Sequence, residues 1–185
     1  MPHPPFTIGA TSAHDGWAKP GDFLNIRYVS LNGRGQTDAC LTAAVRLMQA
    51  AGLKLSGTFA LESDNPACDM QLQVLPDGPV IRINQNLGKM AKGCRLDGGA
   101  LEQAVIAVAS RTAGAQLLVV NKFGKLESEG RGYVPLIVSA LQKGIPVLIG
   151  VNALNLPGLL IFAADLAEAL PGDPALIADW ALAHA

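Results

Sequence analysis

Apolar residues come in short blocks along this chain, and the blocks alternate between two rhythms. Leu24 to Leu31, Lys54 to Leu61, Gln116 to Val120 and Ile145 to Val151 read as strands. Several are apolar throughout, as burial on both faces of a sheet requires. Between them, Leu41, Ala44, Val45 and Met48 fall at helical spacing in a segment that Thr37 or Asp38 can cap and Gly52 can stop, near Ala51. Asp97 is placed to cap a second helix from Gly98 to Thr112, with Leu101, Val105 and Val108 inside it. A third is predicted from Tyr133 to Gln142, ending at Gly144. Pro157 fits the first turn of a fourth, expected to end near Leu170, and Pro174 opens a last one through Trp180. Gln71 to Leu75 and Val80 to Asn84 flank Pro76-Asp77-Gly78, which is a hairpin signal.

Strands alternating with helices predict the α/β class: a mostly parallel sheet with helices on both faces, plus a β-hairpin insertion. Residues 1–22, with Pro2, Pro4, Pro5 and Pro20 among Gly9, Gly16 and Gly21, read as an irregular N-terminal arm. Residues 23–185 read as a single α/β domain.

Composition narrows the function classes. Of 185 residues, 50% are hydrophobic and 16% charged, which supplies one core and argues against disorder. A net charge of −1 provides no general attraction to nucleic acid, so no nucleic-acid partner is expected. No apolar run is long enough to span a bilayer, and no membrane insertion is expected. Met1-Pro2-His3-Pro4-Pro5 is unlike a signal peptide, and three cysteines do not suggest a disulfide framework. The expectation is cytoplasmic. Phe6 and Trp17 in the arm and the acidic stretch from Asp165 make a homo-oligomer a further expectation.

The charges themselves are unevenly spread. Eight of the fourteen Lys and Arg lie between Arg82 and Arg131, and none follows Lys143. Two segments of this chain invite an anion. Gly33-Arg34-Gly35-Gln36-Thr37 joins the first strand to the first helix, where backbone amides and a helix start can meet negative charge. A Walker A loop needs G-x-x-x-x-G-K-[ST]; here Gln36 stands before Thr37, and Asp38 adds a charge that a triphosphate would resist. The second segment, Asn121-Lys122-Phe123-Gly124-Lys125-Leu126-Glu127, follows an apolar strand and is doubly basic. Ligands of open α/β sheets bind at the carboxyl ends of strands. The alternative for the first segment is a tight strand-to-helix turn with Thr37 or Asp38 as cap, and for the second a solvated surface, with Lys125 or Arg131 pairing Glu127 or Glu129.

Val119 to Tyr133 (VVNKFGKLESEGRGY), Gly93 to Val105 (GCRLDGGALEQAV), the CDM at Cys68 and Leu75 to Gly88 (LPDGPVIRINQNLG) carry a resemblance. From Leu24 to about Trp180 the chain resembles a bacterial family of unknown function, whose members are described as predicted ATP-binding proteins associated with molybdenum transport. That family is in turn similar to the thermophile-type nucleoside triphosphatases of the P-loop class. The resemblance implies a P-loop-like three-layer sandwich. In those enzymes the corresponding strand ends in D-E-I-G-x-M-E, and the acids handle magnesium and water. Here Asn121 and Lys122 replace the acids, while Gly124 and Glu127 match. Magnesium favours carboxylate oxygens, and Lys122 repels it. The segment therefore suits binding an anion, a nucleotide or small oxyanion, better than hydrolysing it. Weak nucleoside triphosphatase activity stays as an alternative through the resemblance alone.

Of the cysteines, Cys40 falls within the first helix and reads as a small buried hydrophobe. Cys68 and Cys94 lie in polar loops, and Lys92, Arg95 and the helix start beyond favour a thiolate at Cys94. Together they are candidate ligands for a soft metal or partners in a thiol-redox accessory function, which the family's molybdenum context would suit. Two thiolates alone are an incomplete zinc site, and His3, His14 and His184 all lie near the termini.

Overall fold

The computed structural model describes residues 25–62, 70–85, 96–164 and 166–185. Seven strands form one sheet. In chain order, β1 (Ile26–Val29) leads to α1 (Gln36–Ala50), then β2 (Leu55–Ala60), the hairpin strands β3 (Gln71–Leu75) and β4 (Val80–Arg82), and α2 (Gly98–Ala109). β5 (Leu117–Phe123) is followed by a single turn α3 (Lys125–Ser128) and by α4 (Val134–Gln142). β6 (Val147–Val151), α5 (Leu156–Ala163), β7 (Ala167–Ala169) and α6 (Pro174–His184) complete the chain.

The strand order is β4-β3-β2-β5-β6-β1-β7. β1, β2, β5, β6 and β7 run parallel, and the hairpin adds two antiparallel strands beside β2. Alternation along the strands splits the core into two layers. Leu118, Val120, Val147, Ile149 and Val151 meet Leu101, Val108, Ile137, Leu159 and Ala163 of α2, α4 and α5. Leu117, Val119 and Leu148 meet Leu41, Val45, Met48, Ile177 and Ala181 of α1 and α6. This is the predicted α/β sandwich.

Several local expectations shift. Strand β5 runs on through Asn121 and Lys122 to Phe123, so these residues belong to a strand rather than to a turn. The predicted helix from Pro157 to Leu170 ends at Ala163, because Ala164 adopts a left-handed conformation (φ 44°), and Ala167–Ala169 instead pair with β1. The last helix extends beyond Trp180 to His184, and α2 stops before Thr112. Asp97 caps α2 as its sequence suggests, its carboxylate accepting from the Ala100 amide at 3.1 Å. Thr37 and Asp38 do not cap α1. Gly35 occupies that position, and Thr37 Oγ1 accepts from the Leu31 amide at 3.0 Å instead.

Topology fixes where a ligand can approach. β1 and β6 are neighbours, yet β1 leads into α1 on one face and β6 into α5 on the other. Their diverging connections open a crevice at the carboxyl rim of the sheet. The loop after β1 sits at that crevice, and β5 ends beside it, one strand away.

Candidate functional site

The loop after β1, residues 30–35, is exposed apart from Ser30 and Leu31, which are half-buried. Gly33 (φ 114°) and Gly35 (φ 76°) take conformations that L side chains rarely adopt. A Cβ on Gly33 would also come within 2.8 Å of the Gln36 side chain, which lies folded against it. Among the described residues, nothing accepts from the backbone amides of residues 32–38. Left-handed glycines at the start of a fifteen-residue helix thus leave a run of exposed amides, without acceptors among the described residues, at the positive end of the helix dipole. Ser30 through Thr37 also keeps the eight-residue span of G-x-x-x-x-G-K-[ST], with Ser30 and Gln36 at its first glycine and its lysine. That spacing was the sequence signal for Ser30.

The end of β5 meets this helix start. Lys122 Nζ lies 3.5 Å from Asp38 Oδ2, and the Asn121 side-chain amide lies 3.5 Å from Asp38 Oδ1. Asn121 is buried for a second reason. The β2–β5 ladder stops after Gly57 and Val119, where Gly57 (φ 115°) brings the two backbones so close that no side chain would fit. Beyond that point the strands fork. Asn121 Oδ1 bridges the fork by accepting from the Ala60 amide at 2.9 Å, and Thr42 Oγ1 donates to the Ala60 carbonyl at 2.8 Å. Thr58 and Tyr133 hydroxyls make a second bridge at 2.8 Å, in full burial, which raises the Tyr133 phenol well above its ordinary value.

The rest of the basic segment is turned on itself. Glu127, 3% exposed, accepts from the Gly124 amide at 2.9 Å and from the Tyr133 amide at 3.2 Å. Gly132 (φ 60°) packs directly against that carboxylate. Lys125 is 88% exposed and lies 3.8 Å from Glu129, which Arg131 also pairs. These contacts lower the Glu129 pKa, the Arg131 hydrogen bond first among them. The predicted partner of these cations is therefore Glu129, and Glu127 serves backbone amides. Lys122 reaches the first turn of α1; Lys125 lies against its own turn. Arg34 is exposed in the loop.

A magnesium–nucleotide complex does not fit the donors present at this rim. Asn121 spends its carbonyl oxygen on Ala60, and Asp38 is already paired with Lys122, whose charge repels a metal cation. Among the described residues no group of three acidic, histidine or cysteine side chains could hold a metal ion. Cys68 and Cys94, the candidate metal or redox pair, lie outside the described residues, as does the arm at 1–22. Cys40 is buried, and burial followed by Asp173 pushes its thiol pKa up. No described helix is long and apolar enough to cross a membrane. A concavity of about 390 Å³ opens at the opposite rim between Leu53, Pro76 and Arg111.

Comparison with known proteins agrees with this architecture. The family described as "Protein of unknown function (DUF2478)" matches residues 26–180. A Bradyrhizobium diazoefficiens protein described as "Molybdenum import ATP-binding protein ModC 2" is 32% identical over 172 residues. That match takes in 88% of this chain and 19% of the relative, so the chain spans about a fifth of the relative's length. The solution structure of a human cancer-related nucleoside triphosphatase superposes with a TM-score of 0.54 at 15% identity, covering 86% of this chain and 96% of that one. At that identity the likeness is one of fold.

Proposed function

The chain belongs to the DUF2478 family, and from that footing we propose that it is an anion-binding protein on a degenerate P-loop-like fold. The loop of Gly33, Arg34, Gly35, Gln36 and Thr37 supplies amides, and Lys122 beside it supplies the full positive charge. Asn121 holds the end of β5 in place. Gly124, Lys125 and Glu127 shape the turn that follows, with Lys125 a more distant source of charge. The observation that carries this reading is the run of amides at residues 32–38 that have no acceptor among the described residues, beside a helix turn whose Asp38 meets Lys122 at 3.5 Å.

The guest is a nucleotide or a small oxyanion, bound without magnesium. The Bradyrhizobium relative's description, which names molybdenum import and ATP binding, brings ATP and molybdate into the series. Hydrolysis is at most weak, since Gln36 and Asn121-Lys122 replace the lysine and acids of the thermophile-type enzymes it resembles. A cytoplasmic setting and self-association complete the proposal.

Thermal unfolding with ATP, GTP, molybdate, sulfate and phosphate, each with and without magnesium, tests it. A ligand at one hundred times its dissociation constant adds about 2.7 kcal/mol of stability. Stabilisation that does not need magnesium and is lost in Lys122→Ala supports the reading. No stabilisation by any of these anions removes it.

A further inference from the structure

Asp38 has no part in the anion site as drawn above, yet both polar side chains at the end of β5 point to it. Its Oδ2 lies 3.5 Å from Lys122 Nζ and its Oδ1 lies 3.5 Å from the Asn121 amide nitrogen. It stands in the first turn of α1, beside the unpaired amides, where the helix dipole favours negative charge. A carboxylate of this chain thus pairs with the cation that β5 brings to the start of α1. Its side chain is about a quarter exposed and that of Lys122 about half, so both can move without unpacking the core.

We propose that Asp38 is a resident counter-anion, a carboxylate that holds the Lys122 ammonium until an incoming oxyanion displaces it. Resting on the anion-binding reading, this makes Asp38 a determinant of affinity. An arriving anion must exchange with Asp38 for Lys122 and then share the rim with a displaced negative charge. Each added charge on the guest raises that repulsion, so the device favours small anions of low charge over triphosphates. Arg46, further along α1, pairs with Glu62 at 3.4 Å, and Arg34 is exposed in the loop. Lys122 is the described cation that Asp38 engages.

Titration calorimetry with phosphate, molybdate and magnesium-free ATP on the full chain tests this against Asp38→Asn, Asp38→Ala and Lys122→Ala. Both Asp38 variants are expected to bind phosphate and molybdate more tightly, by roughly two- to fivefold, the range of an exposed ion pair. ATP should gain more than either. Lys122→Ala should lose binding. Asp38→Ala guards against a new amide hydrogen bond in Asp38→Asn. A merely structural Asp38 predicts weaker binding, because Lys122 and Asn121 would lose their anchor. If the wild type binds and Lys122→Ala does not, while neither Asp38 variant tightens, the counter-anion is overturned and the anion site stands. If none of the four proteins binds any of these anions, the anion site falls and the counter-anion with it.

Discussion

The loops after β1 and after β5 lie at the same rim of the sheet and are built on opposite principles. The β5 segment is the more distinctive in sequence and the more basic, yet it is satisfied from within. The Gly124 and Tyr133 amides go to Glu127, those of Ser128, Glu129, Gly130 and Arg131 go to carbonyls of the same turn, and Lys125 and Arg131 go to Glu129. The loop after β1 is plainer and leaves its amides at residues 32–38 without acceptors among the described residues. A charged segment is thus not by itself a binding segment. Buried backbone polar groups need partners, and the closed turn supplies them from its own residues, while the exposed amides of the loop after β1 have no acceptor among the described residues.

Breaking the closed loop should cost stability, and breaking the open one should cost binding. The largest effect is expected from Glu127→Ala, which leaves two amides beneath the turn without acceptors. We expect a loss of about 3 kcal/mol in urea unfolding, with anion affinity retained in the protein that remains folded. Tyr133→Phe removes the bridge to Thr58 and leaves that hydroxyl buried without a partner, a loss of about 1.5 kcal/mol by the same measurement. Gly35→Ala meets no neighbour within 4 Å but forces a left-handed conformation on a side chain, a cost of about 1 kcal/mol. Its main effect should appear as weaker phosphate binding in calorimetry, the reverse of the Glu127→Ala pattern. The smallest effect belongs to Lys125→Ala, within about 0.5 kcal/mol of wild type because its pair is exposed. Its anion affinity should stay within about twofold; a loss comparable to that of Lys122→Ala would erase the distinction between the two lysines.

How much of this was legible in the sequence follows from how local each cause is. Val119-Val120 and Val147 to Val151 announce buried strands, and Asp97 announces a cap, because each effect is written within a few residues. Strand β7 was not legible. Ala167-Glu168-Ala169 has no strand-like side chains and is a strand because β1 pairs with it and Arg27 holds Glu168 at 2.8 Å. The two lysines could not be told apart either. Lys122 and Lys125 are three residues apart, and only the continuation of β5 through Phe123 directs the first toward α1. Asn121 reads as a lost acid, but its partner is the amide of Ala60, sixty-one positions away. Glu127 carries the same lesson, since its spacing from Gly124 is visible and its burial under Gly132 is not.

The glycine at position 57 has an architectural consequence. Continuous pairing between β2 and β5 covers only Leu55–Gly57 against Leu117–Val119, so the hairpin wing is fastened to the body by a short seam. Past the seam, one amide and one phenol act as rivets. A substitution at Asn121 or Tyr133 therefore loosens the hold on three of the seven strands of the platform on which the rim is mounted.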